Sequence, residues 1–354
     1  MITERLRDRI SRDGPLPFDD FMRLALYDPD AGYFAAGPLR SERAGDFLTS
    51  PEVSPLFGET LGRFAAAEAS RLGPGPIGVV EAGSGSGSLL RPLLDHLAEA
   101  GVPARAVIVE VSDAARSRAA AAVPEAALAA RIEDAGPGLR GVVIANEVLD
   151  NLPAALAVRR ASGWAERRVG VREAELCYVE VEPRPHVAAW ADRHAGTVPE
   201  GGVVEVQEAA GEWLRAALCT LEDGAVVILD YGDTAAGLAA RRAEGTVRTY
   251  SGHHLGPDPL ADPGGTDITL DVDFGALRVV AEESGATAFV STQREFLAEW
   301  GLGERLLALR ERELELARNG DTMERLRVRD LRTGGEALLH PRGLGDFRVL
   351  VARR

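Results

Sequence analysis

Apolar positions follow two different periods along this chain, and the places where the period changes mark its organisation. Residues 2–12 and 18–26 read as short helices, the second ending before the turn-rich stretch YDPDAGYF. A loop carrying GDFLTSPEVS follows. From Pro55 to Leu72 the apolar residues Leu56, Leu61, Phe64 and Ala67 recur at helical spacing, and the breaker run GPGP closes the segment. Short apolar runs then alternate with helical stretches: a strand at Ile77–Ala82, a helix from about Ser88 to Leu97, a strand at Ala106–Val111, a helix from about Asp113, and a strand at Gly141–Asn146. Such alternation predicts a largely parallel sheet covered by helices.

The texture changes at LAVRRASGWAERRVGVREAELCYVEVEP, where strand-like segments joined by polar turns predict an inserted antiparallel unit. Helical spacing returns at Glu208–Leu221, ahead of a buried strand, Ala225–Leu229, that runs into Asp230 and Tyr231. Residues 232–272 form a long stretch rich in glycine, proline and aspartate, which in a compact protein is either functional or disordered. Two arginine- and leucine-rich helices occupy about 293–317, and the chain ends in an apolar strand, DFRVLVA. The expected fold is therefore α/β: a Rossmann-like sheet of seven strands whose last strand inserts antiparallel after one long helical excursion, with an N-terminal helical cap. The boundaries read as a cap at 1–72 and a core at 73–354, the core interrupted at 151–206, 232–272 and 292–342.

Composition narrows the function. All 40 basic residues are arginine, so a Walker A loop and a pyridoxal Schiff base, which both need lysine, are excluded. A formal charge of -15 disfavours nonspecific nucleic-acid binding and suits a cationic partner, although an ordinary acidic protein has the same balance. Cys177 and Cys219 show neither CxxC nor metal-ligand spacing, which argues for a reducing compartment and against structural zinc. The charged start, MITERLRDRI, lacks an apolar signal core, and no run is long enough to span a bilayer. Cytoplasmic localisation without membrane insertion is expected.

The stretch VVEAGSGSGSLL places Gly83, Gly85 and Gly87 one residue apart between a strand and a helix, with Glu81 two residues ahead. The dinucleotide fingerprint GxGxxG sets its third glycine three residues after the second, so these offsets disfavour a nicotinamide oxidoreductase. They resemble motif I of class I S-adenosylmethionine-dependent methyltransferases, in which adenosine and a zwitterionic amino-acid tail lie against bare backbone. In VIVEVS, Glu110 sits the right distance downstream to accept both ribose hydroxyls. Asp134 in RIEDAG is a candidate acceptor for the adenine amino group, or a plain exposed loop acid. Asp46 in GDFLTSPE either reaches over the cofactor or bonds its own backbone in a turn.

A further strand ends in IANEVLDNLPA. Ligands of open α/β sheets sit at the carboxyl ends of strands, where Asn146, Glu147 and Asp150 should project. Asn146 is read as a cofactor contact and the two carboxylates as catalytic; Asn151, before Pro153, is better read as a cap or turn residue. His253 and His254, near Asp258, Asp262 and Asp267, lack metal-site offsets, and no metal is expected. Trp190, Trp213 and Trp300 read as packing residues.

Taken in order, GDFLTSPEVSPLFGETLG, VVEAGSGSGSLL, VIVEVS, VIANEVLDNLP, VVILDYGD and GTVRTYSGHHLGPDPLADPGGTDITLDVDF resemble the MidA-type methyltransferases over nearly the whole chain. The resemblance implies S-adenosylmethionine as cofactor and methylation of an arginine in a protein partner. In mitochondrial members that activity serves assembly of respiratory complex I. It also implies roles for His253 and Asp267 as lid or substrate contacts, His253 among the catalytic residues. One departure stands out. The family usually reads ELGPGRG where this chain has Glu81, Ala82, Gly83, Ser84, Gly85, Ser86 and Gly87: the glycine offsets survive without the proline and arginine. The competing reading is a catalytically weak assembly factor that keeps the fold and binds a partner. The oligomeric state, a homodimer included, stays open at this point.

Overall fold

The computed structural model describes residues 2–34, 49–241, 243–251, 254–320 and 322–354. They fall into two compact units, one drawn from 39–146, 216–229 and 285–354, the other from 1–38, 147–215 and 230–284.

The first unit is built on seven strands: β1 (Ile77–Ala82), β2 (Ala104–Val109), β3 (Ala127–Ala129), β4 (Leu139–Asn146), β5 (Leu221–Asp230), β6 (Thr287–Thr292) and β7 (Arg348–Arg353). Their order across the sheet is β6-β7-β5-β4-β1-β2-β3. The five strands from β5 to β3 run parallel, and β6 runs antiparallel to β7. Gly224, near the start of β5, and Arg354, just after β7, each donate a backbone N–H to the other's carbonyl, so β7 is the antiparallel insertion. The chain moves outward from β1 through β2 to β3, then returns to the other side of β1 for β4. That reversal is the switch point at which open α/β sheets bind ligands.

Central strands buried on both faces need uninterrupted apolar runs, and β4 and β5 supply them: Val142–Ile144 and Ala225–Leu229 have no exposed surface. At their amino ends three neighbouring strands approach glycine to glycine. A Cβ on Gly141 would lie 1.9 Å from the Gly78 carbonyl oxygen, and one on Gly224 would lie 1.9 Å from that of Gly141. Helix Leu56–Leu72 turns Phe57, Leu61 and Phe64 into the core of this unit, where Phe64 meets Trp300 edge to face at 5.2 Å.

After β6, Thr292 and Glu295 close a capping box on helix Gln293–Glu299, and helices Leu302–Asn319 and Thr322–Leu338 follow. The third of these helices falls within the helical excursion expected at 292–342, but the pattern marks only two helices, at about 293–317, because TMERLRVRDLRTGGEAL is polar on most of its faces and interrupted by two glycines. Those glycines let it pack closely: a Cβ on Gly335 would lie 2.6 Å from a Leu306 methyl.

The second unit holds an antiparallel sheet of Ala155–Arg160, Gly163–Arg172, Glu175–Val181 and Val203–Val206, with Leu16–Pro17 paired to its 163–172 strand. Strand alternation sorts its residues by face. Leu156, Val158 and Val169 meet Phe18, Phe21 and Met22 of helix Phe18–Tyr27, whereas Ala155, Ala157, Val204 and Val206 meet Val187 and Ala191 of helix Pro185–His194. That second helix lies in the stretch read as purely antiparallel. EPRP looks like a break, yet Pro185 occupies the first helical turn, where its missing N–H costs nothing. Within 232–272 the chain forms short strands, among them Arg248–Ser251 and Asp267–Thr269, too brief for alternation to show.

Candidate functional site

Between β1 and helix Leu90–Glu99 the chain turns on Gly83, Gly85 and Gly87, at φ +67°, +51° and +78°. These are left-handed values that glycine adopts at no steric cost. The Gly83 N–H donates to the Val109 carbonyl at 2.9 Å, tying the loop to the end of β2. Glu110, the next residue after β2, reaches back: its Oε2 accepts the Gly85 N–H at 3.3 Å and its Oε1 accepts the Ser112 N–H at 3.0 Å. Burial raises the Glu110 carboxyl above its ordinary range, and these backbone N–H groups oppose the shift.

Glu81, within β1, is 3% exposed, and its Oε2 has no hydrogen-bond partner among the described residues. Burial pushes its carboxyl up to about 8; a hydrogen bond from Ser84 opposes this and the charge of Glu110 adds to it. An acid with a bare oxygen, next to a loop of left-handed glycines, offers what a ligand carrying an ammonium group requires.

A second cluster follows the ends of β4 and β5, where Asn146 and Leu229 are register partners and Glu147 and Asp230 come next in the chain. Asn146 is buried. Glu147 stands at φ +53°, unusual for a residue with a side chain, and opens the short turn Leu149–Asn151. Asp150 is 3% exposed, and its Oδ1 has no hydrogen-bond partner among the described residues. Burial pushes its carboxyl up to about 7, the Arg248 charge opposing and the Asp271 charge adding.

Asp230 is fully buried; its Oδ2 accepts the N–H of Leu149 at 2.9 Å and of Asp150 at 3.2 Å, and its Oδ1 accepts the N–H of Tyr231 at 2.9 Å. Burial, then the charges of Asp150 and Glu147, hold its carboxyl well above the ordinary range. Arg248 lies 5.5 Å from the centre of the Tyr231 ring and pairs with Asp271 at 2.7 Å. Burial disfavours its charge, and the pairing with Asp271 more than offsets that, so its pKa is raised.

The structure gathers Glu81, the glycine loop and Glu110 at one place, and Glu147 and Asp150 at another. Asp134 is exposed in the short turn Ile132–Ala135 after β3. Asp46 and His253 lie outside the described residues. Asn151 caps no helix: its amide donates to Asp267 Oδ1 at 2.9 Å and to the Ile268 carbonyl at 3.1 Å, so it tethers the 267–268 strand. Asn151 does lie in a turn, Leu149–Asn151, but both acceptors of its amide are more than a hundred residues away. Asp258 bonds locally, its Oδ1 accepting the Leu260 N–H at 2.8 Å. Among the described residues no group of three His, Cys, Asp or Glu side chains could hold a metal ion.

Sequence reasoning passed over Asp230, Tyr231, Arg248 and Asp271. The signal for Asp230 was present, since the rule that selects Glu147 at the carboxyl end of β4 applies equally at the end of β5.

Residues 60–292 match the model of a family of S-adenosyl-L-methionine-dependent methyltransferases. The chain belongs to this family. A Burkholderia thailandensis protein solved bound to S-adenosylhomocysteine is 30% identical, with a TM-score of 0.86, over 100% of this chain and 92% of that one. Two relatives are named as mitochondrial protein arginine methyltransferases: the NDUFAF7 homolog of Drosophila melanogaster, 29% identical over 80% of this chain and 70% of its own length, and NDUFAF7 of Danio rerio, 29% identical over 87% and 78%. This methyltransferase accordingly uses S-adenosylmethionine. The cytoplasmic placement is corrected by the same comparison, because the relatives are named as mitochondrial. Two cysteines without disulfide or metal-ligand spacing do not tell one compartment from another.

Proposed function

We propose that this methyltransferase transfers a methyl group to an arginine side chain of a protein partner. The observation that carries the reading is the buried turn on which Asp150, close after Glu147, keeps an oxygen without a hydrogen-bond partner among the described residues. The arginine methyltransferase names of the relatives support it. For the partner, the family resemblance points to a subunit of respiratory complex I.

Gly83, Gly85, Gly87, Glu81 and Glu110, with Asn146, are the residues assigned to the cofactor. Bound S-adenosylmethionine supplies a sulfonium methyl as electrophile. Glu147 and Asp150 are assigned to the guanidinium. Arginine is protonated and its lone pair delocalised, which makes it a poor nucleophile in water. Two carboxylates accept its N–H groups, fix the planar fork and take one proton as the N–C bond forms and the S–C bond breaks. The product keeps one positive charge, and the released proton resides on a carboxylate.

The test is direct: purified protein is incubated with tritiated S-adenosylmethionine and a protein extract from cells lacking the gene, and the labelled acceptor is mapped by mass spectrometry. A labelled arginine is the expected result. Label on another residue, or none, overturns the reading.

Glu81 gives a second expectation. With its carboxyl pushed up to about 8 it is protonated at pH 7, and a cationic ligand favours its ionised form. Ligand binding should therefore release about one proton at pH 7 and tighten as pH rises toward about 8. Calorimetry of S-adenosylhomocysteine in two buffers of different ionisation enthalpy reads the proton directly, and a heat independent of buffer refutes the role.

A further inference from the structure

We infer that Asp230 is a positioning residue of this methyltransferase, its carboxyl holding the turn that carries Glu147 and Asp150 in the conformation that presents both. The inference rests on the assignment of that pair to the guanidinium.

A residue with a side chain at φ +53°, as at Glu147, persists only where its surroundings over-determine it. Asp230 constrains the turn that follows Glu147. Its Oδ2 takes the N–H groups of two consecutive residues, Leu149 and Asp150, so the orientation of the turn is set at two points. Its Oδ1 takes the N–H of Tyr231 and thereby fixes the carboxyl itself. Three donors converge on two oxygens. An amide has a single oxygen and would direct its own N–H groups at whichever donors that oxygen did not reach. No arginine pairs with Asp230 among the described residues, so a role in neutralising a buried cation does not explain it.

Asp230 is fully buried, and burial with the charges of Asp150 and Glu147 favours its protonated form. Acids packed together raise one another's proton affinity, and Glu147, Asp150 and the Tyr231 phenol are the titratable groups whose charges act on Asp230 or are acted on by it. Arg248 and Asp271, on the 246–271 segment, act on Asp150 in opposite directions. The cluster suits a group that must receive a proton during turnover.

The experiment is a double-mutant cycle on the acceptor found by labelling, using Asp230→Asn, Asp150→Asn and the pair. Asp230→Asn should lower kcat by about tenfold or more while the Kd for S-adenosylhomocysteine stays within about twofold of the parent. The pair should be no slower than Asp150→Asn alone, because Asp230 acts through the turn that carries Asp150. Additive losses, an unchanged kcat or lost cofactor binding overturn the inference. Should Asp230→Asn not fold, hydrogen exchange in the parent decides: the Leu149 and Asp150 amides should exchange about 100-fold or more below open-loop rates, and unprotected amides refute the contact. If Asp150→Asn methylates at the parent rate, the guanidinium assignment has failed, and the amide protection still reports on Asp230.

Discussion

Glu147→Gln and Asp150→Asn should each lose methylation of the acceptor by about two to four orders of magnitude, while binding S-adenosylmethionine as the parent does. Both replacements are nearly isosteric, so shape survives and charge is lost. An amide turns N–H groups toward a guanidinium that has only N–H groups to offer, and it cannot take a proton. The parent should also gain kcat/KM as pH rises through about 7, because burial pushes the Asp150 carboxyl to that range and the acid form cannot serve as base. Substrate cation lowers that pKa, so the corresponding limb in kcat should lie at lower pH. Quantitative labelling together with calorimetry separates the outcomes. Parent rates in both variants would remove the pair from the mechanism, and weakened cofactor binding would make Glu147 a cofactor contact instead.

The second large effect is expected at Gly85. At φ +51° a β-branched side chain is strained, and Gly85→Val puts that strain on the backbone whose N–H Glu110 accepts at 3.3 Å. Affinity for S-adenosylhomocysteine should fall by about 100-fold or more, since an adjusted loop loses both the bare backbone and the Glu110 tie. Folding should persist, because the core of this unit rests on Val79, Leu90 and Leu93, none of which has exposed surface. Gly85→Ala, without the branch, should fall between the two. Titration calorimetry with a urea midpoint on each variant makes the comparison, and undiminished affinity in Gly85→Val contradicts the placement of the cofactor on this loop.

The sheet was legible because a strand covered on both faces must be nearly continuously apolar: Ile77–Ala82 was bounded correctly from such a run, in which Glu81 is the one charged residue. The antiparallel last strand followed from its place after the helical excursion. Helix Thr322–Leu338 lay inside the expected excursion at 292–342 without bounds of its own, because its burial depends on small residues rather than on an apolar stripe, and a glycine pair in a sequence looks like an ending. At the candidate site, the glycine offsets with Glu81 and Glu110 form one local pattern in the chain. Arg248, Asp271 and the tether from Asn151 to Asp267 join segments far apart in sequence, and no periodicity records such pairings. Asp230 was legible in principle and was read only as the end of a strand.

The contact of Gly78, Gly141 and Gly224 across three strands bears on how this sequence can change over time. A methyl group at Gly141 or Gly224 would enter the space of a neighbour's carbonyl, and backbone, unlike a flexible side chain, has no alternative rotamer to move into. A substitution at either position therefore asks for a shift of the adjoining strand, which in turn alters the next. These positions are closed to stepwise drift, so lineages that share this sheet should keep the small residue there even where the loops at its opposite end have diverged beyond recognition.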